Sequence, residues 1–364
     1  MDCWVNQGTV TEIINAGAEK QELRIKIGNK EEMAVNFPDL TGTCQIGDRV
    51  ILNTTAITLG LGTGGSHFVM GVIGKTHQPE LNQGHIIKVR YTPSQGRVLS
   101  VEEPDSPYHE IMASQSSISG MPVMVGSLHS MLAPVCIGFK HLFPEGRIVY
   151  LMSDGAALPL ALSKQVTALL EHELLDDTIT FNHAFGGRYE AVNVYSALIA
   201  ARHVCRADAA VILMGPGVVG TGTPWGTTAL EQGIYLNAVN TLGGYRIGIA
   251  RISTADPRPR HQGISHHTLT ALTRICEHSC VIPLPEVLQD NPIIKEQLKQ
   301  LTSHKIKWIA TQRYRQLLAE APVTLKTMGR DFNADPFFFE SALAAGLYAG
   351  SLLNDGATGP DSQI

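Results

Sequence analysis

Ala209-Ala-Val-Ile-Leu-Met214-Gly215-Pro216-Gly217-Val-Val-Gly220-Thr221-Gly222-Thr223-Pro224-Trp225-Gly226 is the stretch that decides the fold. Six apolar residues in succession suit a strand buried on both faces, because a half-exposed strand would alternate apolar and polar. A glycine-rich loop follows, and then a helical pattern over Gly226–Leu242. A doubly buried strand followed by a helix belongs to a parallel sheet with helices over its faces.

The same unit recurs on either side. Strand-like runs at Pro122–His129, Arg147–Asp154, Thr178–His183, Tyr245–Ser253 and Val281–Leu284 alternate with helical patterns at Leu158–Leu175, Glu190–Val204 and His266–Glu277. Lys305–Ile309 and Val323–Met328 suit two further strands, and Pro336–Leu353 a closing helix. The expected fold is α/β, a doubly wound, mainly parallel sheet. Counting eight βα units leaves an eight-fold βα barrel as the alternative. Both folds bind ligands at the carboxyl ends of their strands.

The first hundred residues read differently. Val10–Ile14, Glu22–Gly28, Glu31–Phe37, Asp48–Ile57, His67–Gly74, His85–Tyr91 and Arg97–Glu102 are short β-rich runs punctuated by Gly, Asn, Asp and Pro. That spacing predicts a small β-barrel or sandwich over residues 1–103. Residues 104–121 open with Pro104-Asp-Ser-Pro107 and read as a linker with room for one short helix. Residues 122–354 form the parallel α/β domain, and 355–364 a flexible tail.

Two domains suit a length of 364 residues. A net charge of −5 gives no general reason to bind nucleic acid or an anionic membrane. No run approaches the roughly 18 apolar residues of a membrane span. Met1-Asp2-Cys3-Trp4 has neither the basic nor the apolar region of a signal peptide. Six scattered cysteines make no disulfide framework. The expectation is a reduced, cytoplasmic protein without nucleic-acid or membrane partners; homo-oligomerisation is left open.

The chemistry concentrates in the loops after the strands. Arg251-Ile-Ser-Thr-Ala-Asp256-Pro-Arg258-Pro-Arg260-His261-Gln-Gly263-Ile-Ser265-His266-His267 holds three histidines, whereas 14 in the whole chain predict fewer than one per such window. Arg258 and Arg260, between prolines, could fork onto a phosphate or carboxylate. Ser265 suits an N-cap, which places His266 and His267 in a first helical turn where free amides attract anions. Successive helical positions point about 100° apart, so these two are not expected to share one metal ion. The bland alternative for the segment is a solvated basic loop.

Three other loops join it. Asp154 ends a strand before Gly155, either facing a ligand or serving as an N-cap or turn residue. His183 precedes Gly186-Gly187 and pairs conceptually with Glu190 across the turn, although Glu190 also suits a helix first turn. The loop of Gly215, Gly217, Gly220, Thr221, Gly222 and Thr223 contains a G-x-G-x-x-G string. However, Pro224 delays the helix, no acidic residue follows at the required distance, and Gly60–Gly65 matches the same string between two strands. Nicotinamide and flavin are therefore disfavoured, and the loop is read as an anion cradle with Thr221 and Thr223 as donors. Cys276 and Cys280 suit core positions better than a zinc site.

Leu61-Gly-Thr-Gly64-Gly65-Ser-His67, His183-Ala-Phe-Gly186-Gly187, Gly215–Thr223 and Arg260–Thr268 together resemble a conserved, mainly Gram-positive bacterial family of unknown function, similar over nearly the whole chain. The resemblance implies a bacterial cytosolic protein and carries no catalytic residue with it. From the residues alone, the expected protein is an enzyme that hydrolyses or transfers a group on a phosphorylated or otherwise anionic small molecule. Arg258, Arg260, His267 and the glycine loop bind it; His183, His261 or His266 moves the proton. Asp154 orients one of them or takes a divalent ion, and no other metal site is expected. The rival is a non-catalytic metabolite- or nucleotide-binding module.

Overall fold

The computed structural model describes residues 2–61, 64–79 and 83–354. The 355–364 tail and Gly62-Thr63 of the first glycine motif lie outside them. The chain divides into two compact units, one of Met1–Gln83 with Val89–Gly96, the other of Gly84–Lys88 with the chain from Arg97 onward.

The first unit is a closed five-stranded barrel: β1 (Val5–Ala16), β2 (Gln21–Ile27), β3 (Lys30–Asn36), β4 (Arg49–Asn53) and β5 (Ser66–Val72), in the order β1-β2-β3-β5-β4. All pairs are antiparallel except β3 with β5. Alternate residues such as Leu23 and Ile25 point inward to join Val10, Val50 and Leu52 in its core. The runs expected at His85–Tyr91 and Arg97–Glu102 are not barrel strands. Five-stranded barrels include oligonucleotide binders, but architecture alone assigns no function.

The second unit holds an eight-stranded, all-parallel sheet. In chain order its strands are β6 (Pro122–Val125), β7 (Ile148–Ser153), β8 (Asp177–Thr180), β9 (Tyr189–Glu190), β10 (Ala209–Met214), β11 (Tyr245–Gly248), β12 (Val281–Pro285) and β13 (Lys305–Ile309). In space they run β9-β8-β7-β10-β6-β11-β12-β13. The sheet has two edges and does not close, which removes the eight-fold barrel alternative. Every residue of β10 is buried, as its unbroken apolar run requires. Alternate residues of β7 and β10 feed opposite faces: Val149, Leu151, Ala210 and Ile212 one way, Tyr150, Met152, Val211 and Leu213 the other.

On the first of those faces lie α3 (Val194–His203), α4 (Glu231–Thr241) and α6 (Pro292–Leu298). On the second lie α1 (Leu132–Leu142), α2 (Lys164–Glu171) and α7 (Pro336–Asn354). The chain therefore leaves β7 and β6 toward one face, but leaves β10 toward the other. Diverging connections open crevices at the carboxyl edge between such neighbours, and those crevices are where open α/β sheets bind ligands.

Three expectations change. Helix α1 was not read from the sequence, because Leu132–Phe139 is buried throughout and shows no polar face to set a helical period. Residues 104–121 hold a short helix, His109–Ser114, but are no linker, because they give Met112, Ile118 and Met121 to the core. Helix α7 is long and apolar enough to cross a membrane by length and composition, contrary to the absence of any such run. It is a mostly buried core helix, packed on α1 where Gly138 and Gly346 bring the two backbones together.

Candidate functional site

The segment after β11 is held as a rigid tongue. Ile252–Ser253 pairs antiparallel with Gly263–Ile264, and the Ser265 amide donates to the Arg251 carbonyl at 2.8 Å. Gln297 of α6 pins the return strand: its Oε1 accepts from the Ile264 amide at 2.7 Å, and its Nε2 donates to the Gln262 and Ile264 carbonyls at 3.0 Å each. Gly263 adopts a φ of 66°, and a Cβ there would meet Gln297 Oε1 at 2.4 Å.

Inside the tongue, Asp256 gathers three arginines. Arg258 forks onto it, with Nε to Oδ1 at 2.9 Å and Nη2 to Oδ2 at 2.8 Å. Arg251 Nη2 and Arg330 Nη2 reach Oδ2 at 3.5 and 3.4 Å. Arg330 also bonds Asp335, which accepts from the Ser253 hydroxyl. The fork of Arg258 is thus engaged, and this residue is a brace, not the anion ligand expected of it. Asp256 lies two residues ahead of Arg258, so local pairing outcompetes a distant ligand.

Arg260 is different. It is exposed and has no hydrogen bond or ion pair among the described residues; its guanidinium lies 3.9 Å from where a Gly222 side chain would begin.

Ser265 caps α5 (His266–Thr270) by accepting from the His267 amide, as read from the sequence. The expectation that the two adjacent rings point apart fails here. The His266 and His267 ring centroids are 4.2 Å apart, and each lies 5.1 Å from that of His261. The 100° argument assumed equivalent rotamers, which free first-turn side chains need not share. His261 Nδ1 and Ser265 Oγ are 2.8 Å apart, while His266 Nε2 and both nitrogens of His267 are buried without partners among the described residues. Burial, then the positive charge of Arg251 and Arg258, pushes His261 down to about 3. Burial, then His266 and Arg251, pushes His267 down to about 4; burial and then Arg260 also lower His266. The three rings are neutral at pH 7, and the field around them opposes imidazolium.

The glycine loop leans on this cluster. A Cβ at Gly220 would sit 2.8 Å from His267 Cε1 and 3.1 Å from its Nε2, so a side chain there would displace that ring. Thr221 and Thr223 are not free donors: their hydroxyls lie 3.0 Å apart, Thr221 bonds the Gly226 carbonyl, and Thr223 accepts from the Gly226 amide. They brace the loop. The amides of Gly217, Gly220 and Gly222 donate to nothing among the described residues.

The other end of the loop meets the β7 tip, where the Ala157 amide donates to the Pro216 carbonyl at 2.9 Å and a Cβ on Gly215 would strike the Ala157 carbonyl. Asp154 accepts from Asn182 Nδ2 at 3.2 Å and from the His183 amide at 3.1 Å, so it positions the turn carrying His183. Glu190 lies on β9, not in a helix; it is buried, holds the Gly186 amide and pairs with Lys88 at 3.1 Å. Strand β8 is four positions from β11, roughly 19 Å at the usual interstrand spacing. The contacts therefore form two groups, Asp154 with His183 and Arg260 with the three histidines, joined by the glycine loop.

Sequence reasoning missed Glu231, the first residue of α4. Its Oε2 accepts from Ser153 Oγ at 2.7 Å and Tyr235 Oη at 2.8 Å, and burial raises its pKa. A Cβ on Gly155 would meet its Oε1 at 2.4 Å, which places the carboxyl in the β7/β10 crevice. Nothing in the local pattern distinguishes it from an ordinary first-turn glutamate. Ser127, just past β6, was also missed; its buried Oγ has no partner among the described residues.

The chain belongs to the family described as "Protein of unknown function (DUF3866)", whose model matches residues 33–346. Comparison with curated proteins gives no match.

Proposed function

We propose that this protein is an enzyme that hydrolyses or transfers a group on a phosphorylated or otherwise anionic small molecule, bound at the carboxyl edge between β10 and β11. The observation that carries the reading is Arg260: an unpaired guanidinium over Gly222, beside a loop with free amides and beside three neutral imidazoles. An unpaired arginine among backbone donors is a site for a forked oxyanion. Arg260 neutralises the substrate, and the amides of Gly217, Gly220 and Gly222 orient it. His261 and His266 do not move the proton, because burial and then the surrounding arginines disfavour their charged forms. That role falls to Glu231, a carboxyl held up by burial in the neighbouring crevice.

Titration calorimetry of the full-length chain in chelator, with inorganic phosphate, pyrophosphate and a set of phosphorylated and carboxylated metabolites, tests this. Arg260→Ala is expected to weaken the tightest anion roughly tenfold to a hundredfold, the value of a charge-assisted hydrogen-bonded contact. Equal affinity in wild type and variant would overturn the reading. A second reading, a non-catalytic nucleotide sensor, is favoured by Trp225, which is 62% exposed on the same loop and could stack on a base. Binding without turnover, weakened by Trp225→Ala, would select it.

A further inference from the structure

We infer that His261, His266 and His267 hold one divalent d-block metal ion, next to the anion that Arg260 binds. This deepens the reading above and rests on it for the identity of the edge as a ligand site.

The sequence places the rings on two supports. His261 closes a short 3-10 turn at Pro259–His261, and His266 and His267 open α5; Ser265 touches both. One nitrogen from each ring can be chosen so that all three lie within 4.8 Å of one another. Tetrahedral zinc at about 2.0–2.1 Å from each nitrogen needs them roughly 3.4 Å apart, a contraction that ring rotation supplies. Two independent features point to a ligand. His267 is 5% exposed and leaves both ring nitrogens unpartnered among the described residues, as does the buried Nε2 of His266. Buried polar atoms of native proteins are otherwise satisfied, so such a group of orphans calls for an occupant. Moreover, Gly220 keeps clear the space that any side chain would fill 3.1 Å from His267 Nε2.

The donor set selects the ion. Three imidazoles suit zinc, cobalt or nickel and offer nothing to magnesium or calcium, which take oxygen ligands. His261 Nδ1–H donating to Ser265 Oγ would leave its Nε2 as the ligand, the usual outer support of a metal-bound histidine. Arg251 and Arg258 do not repel the ion unopposed, because Asp256 pairs with both. No carboxylate joins the three rings, so a bound dication keeps its charge. Together with Arg260 it forms a two-pronged anion site, in which three protein ligands leave a coordination position for water or substrate.

A second cluster serves as the internal control. Cys276, Cys280 and His304 also lie within 4.8 Å of one another, but their atoms are satisfied: His304 Nδ1 meets Cys280 Sγ at 3.4 Å, its Nε2 bonds the Leu272 carbonyl, and Cys276 Sγ bonds the His278 carbonyl.

The test is titration of tag-free, chelator-stripped full-length protein with Co²⁺ and Zn²⁺ in a non-coordinating, anion-poor buffer. The expected result is one ion per chain, a cobalt spectrum without strong thiolate charge-transfer absorption, at least tenfold weaker binding in His267→Ala, and unchanged binding in Cys276→Ser. Should His267→Ala fail to fold by circular dichroism, His266→Gln, at a half-exposed position, reads the same loss. Absence of saturable one-to-one binding, or an ion kept in both histidine variants and lost in Cys276→Ser, would overturn the inference. The anion titration in chelator is read separately. Anion binding in chelator together with no saturable binding of Co²⁺ or Zn²⁺ sinks only the metal inference; saturable ion binding with no anion binding sinks only the functional reading.

Discussion

Asp256→Ala is expected to destabilise the second unit by about 3–5 kcal/mol, the usual cost of removing one partner from a buried ion pair. Asp256 is fully buried and Arg251 is 3% exposed, so water cannot replace the lost carboxylate for that guanidinium. Arg258 and Arg330 would lose the same partner, leaving Asp335 as the nearest remaining carboxylate. The effect carries a pH signature. Hydrogen bonds from Arg258 hold the Asp256 carboxyl well below the ordinary carboxylate range, against burial. A depressed folded pKa stabilises above the unfolded value, about 3.9, and that contribution fades as pH falls below it. Denaturation curves should therefore separate wild type and Asp256→Ala widely at pH 7 and converge toward pH 2. Curves that coincide at pH 7 would show that the cluster contributes nothing.

Gly346→Val should be comparably damaging, at about 3 kcal/mol or more, beyond the usual cost of overpacking. A Cβ at Gly346 would stand 2.1 Å from the Val135 carbonyl oxygen and 2.9 Å from the Phe139 amide. Reciprocally, a Cβ at Gly138 would meet the Leu343 carbonyl at 2.6 Å. These obstacles are backbone atoms of a packed helix, so relief requires α1 and α7 to separate, with loss of contacts around Phe139, Leu343 and Leu347. Ser351→Ala on the same helix, half-buried and bonded only within its own turn, is the control. A wild-type denaturation midpoint for Gly346→Val would contradict the close crossing.

Much of the fold was legible because burial writes itself into residue type. The β10 run is apolar at every position, and β10 is buried at every position. Barrel strands β2 and β4 alternate, and Leu23 and Ile25 face the core. What escaped was the element with no contrast: α1 is buried at every position from Leu132 to Phe139, so that stretch carries no period.

At the site, the histidine count marked the right segment, but tertiary pairing decided each role. Arg258 and Arg260 look alike between their prolines, yet one meets Asp256 and the other lies beside Gly222. The spacing Asp-Pro-Arg could have signalled the first pairing. No local feature of the sequence could have shown that a rotamer choice at a helix start would bring His266 against His267. Glu231 was equally unreadable, since its partners Ser153 and Gly155 come from a strand tip nearly eighty residues earlier.

The most direct measurement is a crystal structure of the full-length chain soaked with the tightest anion from the calorimetric series. The account predicts the anion's oxygens within hydrogen-bonding distance of Arg260 and of the amides of Gly220 or Gly222, with the His261, His266 and His267 rings lining the same cavity. An anion bound elsewhere in the second unit, with Arg260 still turned to solvent, would contradict it.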